Sequence, residues 1–162
     1  MKARLDAIDW KILKELQGDG RMTNVELASR VGISAPPCLR RVRALEELGF
    51  IRGYRALLAS DKLGFEVTVF AMVHLASQAE ADLNAFSDKV RAWPIVRECH
   101  TVSGDMDFVM KCVAPDISSF QAFVNDLIAT PNVRNVRTVL TLGAIKDEGA
   151  VPMELTSGGL GA

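Results

Sequence analysis

Five residues within nine positions, Cys99, His100, Ser103, Asp105 and Asp107, bring together nucleophiles, a base and two carboxylates. Such a set could suggest a hydrolase or a metal site. The stretch around it argues otherwise: IVRECHTVS (95–103) is strand-like, so neighbouring side chains alternate between faces and no nucleophile–base–orienter geometry follows. No Walker loop and no GxGxxG is present, and His74 lies in an apolar strand-like run, where a packed histidine is the ordinary reading. Three cysteines, Cys38, Cys99 and Cys112, are an odd number without CxxC spacing, which speaks against a disulfide framework or zinc. No catalytic residue, metal or cofactor is expected, and the chain does not read as an enzyme.

A second constellation is basic. Arg40, Arg41 and Arg43 lie in a segment that reads as the third of three helices. Asp6 caps the first, whose Ile8, Ile12, Leu13 and Leu16 share one face. Thr23-Asn24-Val25-Glu26 has capping-box spacing and opens a short second helix that Gly32 stops. Ser34 is the next N-cap, with Pro36 and Pro37 where a missing amide proton costs nothing, and Gly49 ends the third helix. A short capped helix, a glycine turn and an arginine-bearing helix make a helix-turn-helix signature. At 100° per residue Leu39, Val42 and Leu45 form the side to be buried, and Arg40 falls nearly opposite, beside Pro36 and Pro37. Asn24, Ser34, Pro36, Pro37, Arg40, Arg41 and Arg43 are thus the expected DNA-facing set, with Arg40 at the groove and Arg41 and Arg43 on phosphates. Phe50 to Arg55 alternates and is expected to be a wing or linker strand.

The period then changes. VTVFAMVHLA (67–76) reads as a strand, 79–93 as a helix, 95–103 and 108–114 as strands around a Gly104-Asp105-Met106-Asp107 turn, Pro115 onward as a helix, and 133–145 as a last strand. The order βαββαβ predicts a ferredoxin-like sheet with both helices on one face, and the whole an α+β chain. Both faces of its first and third strands are apolar, so a second subunit is the expected cover and the chain a homodimer.

Charge supports the division. Residues 1–59 carry 11 Lys/Arg against 7 Asp/Glu, a balance of +4, and residues 60–162 carry 8 against 13, a balance of −5, which together give the net −1. The basic part suits a polyanion, and the acidic sheet domain does not suit RNA. The expected boundaries are 1–59 for DNA binding, 60–146 for the sheet domain and its oligomerisation, and 147–162 for a loose glycine-rich tail. Met1-Lys2-Ala3-Arg4 leads into no apolar run, and the longest uncharged apolar stretch has 13 residues (67–79). Neither a signal peptide nor a membrane span is expected, and the cytoplasm fits.

LDAIDWKILKELQGDGRMTNVELASRVGIS, CLRRVRALEELGFIRGY and ECHTVSGDMDF are similar to signatures of the Lrp/AsnC family of leucine-responsive and feast/famine transcription regulators. The resemblance spans Leu5 to about Lys146 and is closer to the leucine-responsive branch. It departs at the start, where such chains often carry a basic extension. It implies dimers assembling to octamers, with amino-acid effectors bound between dimers by the loop corresponding to Ser103, Gly104, Asp105, Met106 and Asp107. Physically, Gly104 frees the backbone for close approach and Asp105 and Asp107 can receive an α-ammonium group; a plain hairpin turn is the alternative reading. Thr101, Thr138 and Thr141 are weaker effector candidates. Leucine or another apolar amino acid is the expected effector and double-stranded DNA the expected partner. The rival is an amino-acid sensor, or a domain serving an enzyme, whose N-terminal bundle only oligomerises.

Overall fold

The computed structural model describes residues 4–147 and 149–153. The chain divides into two compact units: residues up to Leu57 together with the segment from Asp147 form one, and Leu58–Lys146 the other.

The first unit is three helices. α1 (Ala7–Gly18) opens on a reciprocal capping box, in which Asp6 accepts from the Ile8 and Asp9 amides and the Asp9 side chain accepts from the Asp6 amide. α2 (Asn24–Val31) opens on the Thr23–Glu26 box and ends at Gly32, whose φ of 79° is the left-handed turn that lets the chain reverse into α3. α3 (Ala35–Glu47) begins with two prolines in its first turn. The core is Ile12, Leu27, Ala28, Val31, Cys38 and Leu45. Here the structure corrects the expected α3 face: Cys38 is fully buried, whereas Leu39 is 39% exposed. Cys38 and Leu45, seven residues apart, differ by about 20° around the axis, so they and not Leu39 mark the seam.

Phe50 to Ala59 contains no strand. The expected wing or linker strand finds no strand partner among the described residues, and Leu57 and Leu58 stand exposed. The expected loose tail also differs in part. The Gln17 side-chain amide donates to the Val151 carbonyl at 2.8 Å and accepts from its amide at 3.0 Å, and Met153 is buried. Gln17 thereby satisfies the backbone of a segment 134 residues away as a strand would. Residues 154–162 of the expected tail lie outside the described residues.

The second unit is the βαββαβ fold. A 3-10 turn (Asp61–Leu63) precedes β1 (Val67–Leu75), α4 (Glu80–Ala92), β2 (Val96–Thr101), β3 (Phe108–Ala114), α5 (Ile117–Ile128) and β4 (Val133–Leu140). The sheet order is β2-β3-β1-β4, antiparallel throughout. Ala71, Val73, Leu75, Phe108, Met110 and Cys112 face Phe86, Val90, Phe123 and Leu127 of the helices and form the core. The last strand is shorter than expected. Thr141 still bonds Thr68, one residue inside the start of β1, but beyond it no partner strand continues and Leu142 and Ile145 are fully exposed. On the face away from the helices lie Phe70, Met72, Val109, Val113 and Val139, half-buried to exposed.

Candidate functional site

Two surfaces carry the residues singled out by the sequence. The first is the outward side of α3, where Pro36, Leu39, Arg40, Arg43, Ala44 and Glu47 line a shallow cleft. These residues fall together because the helix period places them opposite Cys38 and Leu45. Arg40 and Arg43 are exposed and form no salt bridge among the described residues. Ser34 supplies the extended N-cap backbone of α3 without a side-chain cap bond, so its exposed hydroxyl is not spent on the helix.

Two members of the expected DNA-facing set are engaged within the unit. Asn24 donates from Nδ2 to the Ala35 carbonyl at 2.8 Å, bracing α2 against the first turn of α3; its Oδ1 is buried with no partner among the described residues. Arg41 places Nη1 2.7 Å from both Asp6 Oδ2 and Asp9 Oδ1. The Asp9 and Asp6 carboxylates raise the Arg41 guanidinium pKa further, and the Asp9 amide and Arg41 hold the Asp6 carboxyl below its usual range.

The second surface is the β2–β3 loop. Ser103, Gly104 and Asp105 are exposed and Met106 is half-buried. Gly104 has φ +117°, a backbone that a side chain rarely tolerates. The loop is closed at its base, where the Val102 amide donates to the Asp107 carbonyl at 3.0 Å and the Asp107 amide to the Val73 carbonyl at 2.9 Å.

The two carboxylates of this loop differ. Asp105 points into solvent with no salt bridge among the described residues. Asp107 is turned inward, its side chain only 10% exposed. Its Oδ2 accepts from the Leu75 amide and its Oδ1 from Gln78 Nε2, each at 2.7 Å. His74 Nδ1 lies 3.2 Å from Oδ2 but without the alignment of a hydrogen bond. Asp107 thus ties the loop to the end of β1. Sequence reasoning missed Gln78; a polar side chain just past the end of a strand was the available signal.

The three threonines do not gather around this loop. Thr101 adjoins it, paired with Phe108. Thr138 pairs with Ala71, and the Thr141 hydroxyl donates to the Thr68 carbonyl at 2.8 Å. Thr68 and Leu75 are seven residues apart on β1, roughly 23 Å at strand rise, so Thr141 sits at the far end of the sheet from the Asp107 clamp. Burial pushes the Cys112 thiol up to about 12, with Cys99 adding to it, and burial raises the Cys99 thiol as well. Burial disfavours the thiolate form of both, so neither cysteine has the environment of an activated nucleophile. No group of three metal-ligating side chains occurs among the described residues, and no described helix is long and apolar enough to cross a membrane.

A helix-turn-helix unit with an arginine-bearing outward helix, followed by a ferredoxin-like unit with a glycine-opened loop, defines a two-domain DNA-binding regulator. Residues 5–52 match the winged helix-turn-helix DNA-binding family and residues 68–151 the Lrp/AsnC ligand binding domain. The chain belongs to the Lrp/AsnC family of transcriptional regulators. It is 59% identical over 148 residues to a leucine-responsive regulatory protein of Rhizobium meliloti, covering 91% of this chain and 95% of that one. To the Escherichia coli K12 protein of the same name it is 43% identical over 143 residues, 88% and 87% of the two chains. Among solved structures it is similar to a Neisseria meningitidis transcriptional regulator in complex with L-Met, with a TM-score of 0.87, 35% identity and coverage of 93% and 97%. An AsnC family regulator from Agrobacterium tumefaciens gives a TM-score of 0.87 at 37% identity, covering 93% and 98%. These relatives are regulators of transcription, not enzymes.

The geometry of the loop makes a stability prediction. Asp107→Ala leaves the Leu75 amide and Gln78 without their acceptor and should destabilise the second unit by about 1–3 kcal/mol. Asp105→Ala should stay within about 0.5 kcal/mol of wild type. Urea unfolding and hydrogen exchange at the Leu75 amide measure the two, and equal effects of both variants would contradict the clamp.

Proposed function

We propose that α3 enters the major groove of double-stranded DNA, with Arg40 reading a base edge, Arg43 on a phosphate, and Ser34, Pro36 and Pro37 meeting the groove at the first turn. The single observation that carries this is the exposed Arg40–Arg43 surface directly opposite the Cys38–Leu45 seam. Helix geometry supports it, since a recognition helix meets base edges with its first turns. Arg40→Ala should lose about 1–3 kcal/mol of discrimination at one base pair and keep its affinity for random sequence. Arg43→Ala should weaken both duplexes alike and lower the salt slope by about 0.9. Gel shifts at two salt concentrations distinguish them, and equal losses on both duplexes for Arg40→Ala would make it a phosphate contact.

The chain acts as a homodimer closed through the open sheet face, and dimers assemble further, to an octamer. Phe70, 39% exposed, and Val139, 52% exposed, are the apolar residues that a second copy would cover. Phe70→Asp should turn the full-length protein to monomer at micromolar concentration in sedimentation velocity; an unchanged dimer would move the interface elsewhere. Binding duplex DNA as a dimer, it prefers half-sites about one helical turn apart or a multiple of it, and works in the cytoplasm.

The effector is a free amino acid, leucine or another apolar one first. Support comes from the names of the leucine-responsive relatives, the L-Met complex of the Neisseria regulator, and a loop whose backbone Gly104 opens. Asp105 is the carboxylate free to meet the α-ammonium group, with Ser103 and Met106 beside it and Thr101 at the loop base. Asp107 holds the loop in place, and Thr138 and Thr141 reach such a site only from another copy. Calorimetric titration with leucine, methionine, alanine, asparagine and lysine should give heat with the apolar members and a weaker response for Asp105→Asn. No heat with any of them would remove the amino-acid effector.

A further inference from the structure

We infer that Arg41 is a positioning residue that fixes the rotation of α3 about its own axis, through the two carboxylates that cap α1. The inference rests on the reading of α3 as the DNA-contacting helix, and it takes Arg41 out of the set of phosphate contacts.

α3 is seated on a narrow seam. Cys38 and Leu45 are its buried residues, Ala35 and Val42 pack beside them on one flank, and Leu39 leaves the core. On the opposite flank no residue of α3 joins that apolar cluster, so packing alone opposes a roll less firmly on that side. A roll matters here because side-chain ends lie about 5–6 Å from the axis, so a turn of 30° moves them about 3 Å, a full hydrogen-bond length. Arg40 and Arg43 would then face different atoms of any duplex.

Arg41 lies beside that seam, about 40–60° around the axis from Leu45 and Cys38. Its Nη1 is 2.7 Å from Asp6 Oδ2 and 2.7 Å from Asp9 Oδ1. What makes these anchors firm is the other oxygen of each carboxylate. Asp6 Oδ1 accepts from the Ile8 and Asp9 amides, both at 2.9 Å, and Asp9 Oδ2 accepts from the Asp6 amide at 3.1 Å. Neither carboxylate can follow a rolling arginine without opening the first turn of α1. The remaining capping box of the unit, Thr23 with Glu26, carries no such salt bridge to another helix among the described residues.

The same triad is poorly suited to hold phosphate. Two carboxylates on one guanidinium leave a local charge of −1, which repels an anion, and charge-assisted bonds of this length already satisfy the donor nitrogen. Arg40 and Arg43 have no such competitors among the described residues.

The test uses full-length protein, a duplex selected by the wild type from a random pool, and a scrambled duplex. Arg41→Ala and Asp9→Asn should each reduce the ratio of selected to scrambled binding by about tenfold, the scale of one misread base pair. The slope of log K against log salt should stay within about half a unit of wild type, because no phosphate contact is lost. Asp9→Asn keeps the arginine in place and covers the case in which Arg41→Ala does not fold. In urea unfolding the double variant should lose less than the sum of the two single variants, since part of what the Asp9 carboxylate contributes runs through that arginine. A slope lowered by about 0.9 in Arg41→Ala, tighter binding of both duplexes by Asp9→Asn, or additive midpoints would each overturn the proposal. If the wild type selects no duplex, the DNA reading itself has failed, and the unfolding cycle still decides whether the lock exists.

Discussion

A four-stranded sheet has two faces to keep from water, and in this chain α4 and α5 cover one of them. Val69, Ala71, Val73 and Leu75 meet the helices and are almost completely buried. Their neighbours along β1, Phe70 and Met72, face the other way and would be polar if that face were meant for solvent. Strand alternation admits no compromise here, because a shift of one residue would exchange the two sets. The register of β1 against β3 and β4 therefore fixes three things at once: the core, the apolar open face, and the position of Asp107 beside the end of β1. The β2–β3 loop is held where it is because the sheet cannot slip.

In the helical unit the same economy appears in the carboxylates. Asp6 and Asp9 satisfy amides that the first turn of any helix leaves without partners, and their outer oxygens remain for Arg41. A cap that would otherwise stabilise one helix thus connects two. Glu15 and Arg30, 3.1 Å apart, link α1 to α2 on a more exposed surface, where an ion pair contributes little. The difference lies in how many hydrogen bonds hold each acceptor, and not in the charge.

Much of the architecture was legible in the chain because it is written in local signals. Capping boxes at Asp6 and Thr23, the stop at Gly32, and the change from helical to strand period near Val67 are decided within a few residues. The choice between Cys38 and Leu39 as the buried residue of α3 was not local. Hydropathy favours the leucine, while the direction from which α1 and α2 approach favours the cysteine. Arg41 and Arg43 look alike in sequence, and only the placement of α1 gives one of them partners. Asp105 and Asp107 are two residues apart in one turn, yet one faces solvent and the other the Leu75 amide. Such distinctions depend on long-range neighbours, which spacing alone does not name.

The return of residues 149–153 to the first unit is held by Gln17 and by the burial of Met153. Because Val151 is held by Gln17, the chain passes between the two units twice, once near Leu57 and once near Lys146. What holds the returning segment is short-range: the Gln17 side-chain amide supplies both the acceptor and the donor that the Val151 backbone would otherwise leave to water. A single glutamine near the end of α1 thus does for this segment what a neighbouring strand does for a strand, and a side chain with only a donor or only an acceptor could satisfy half of it.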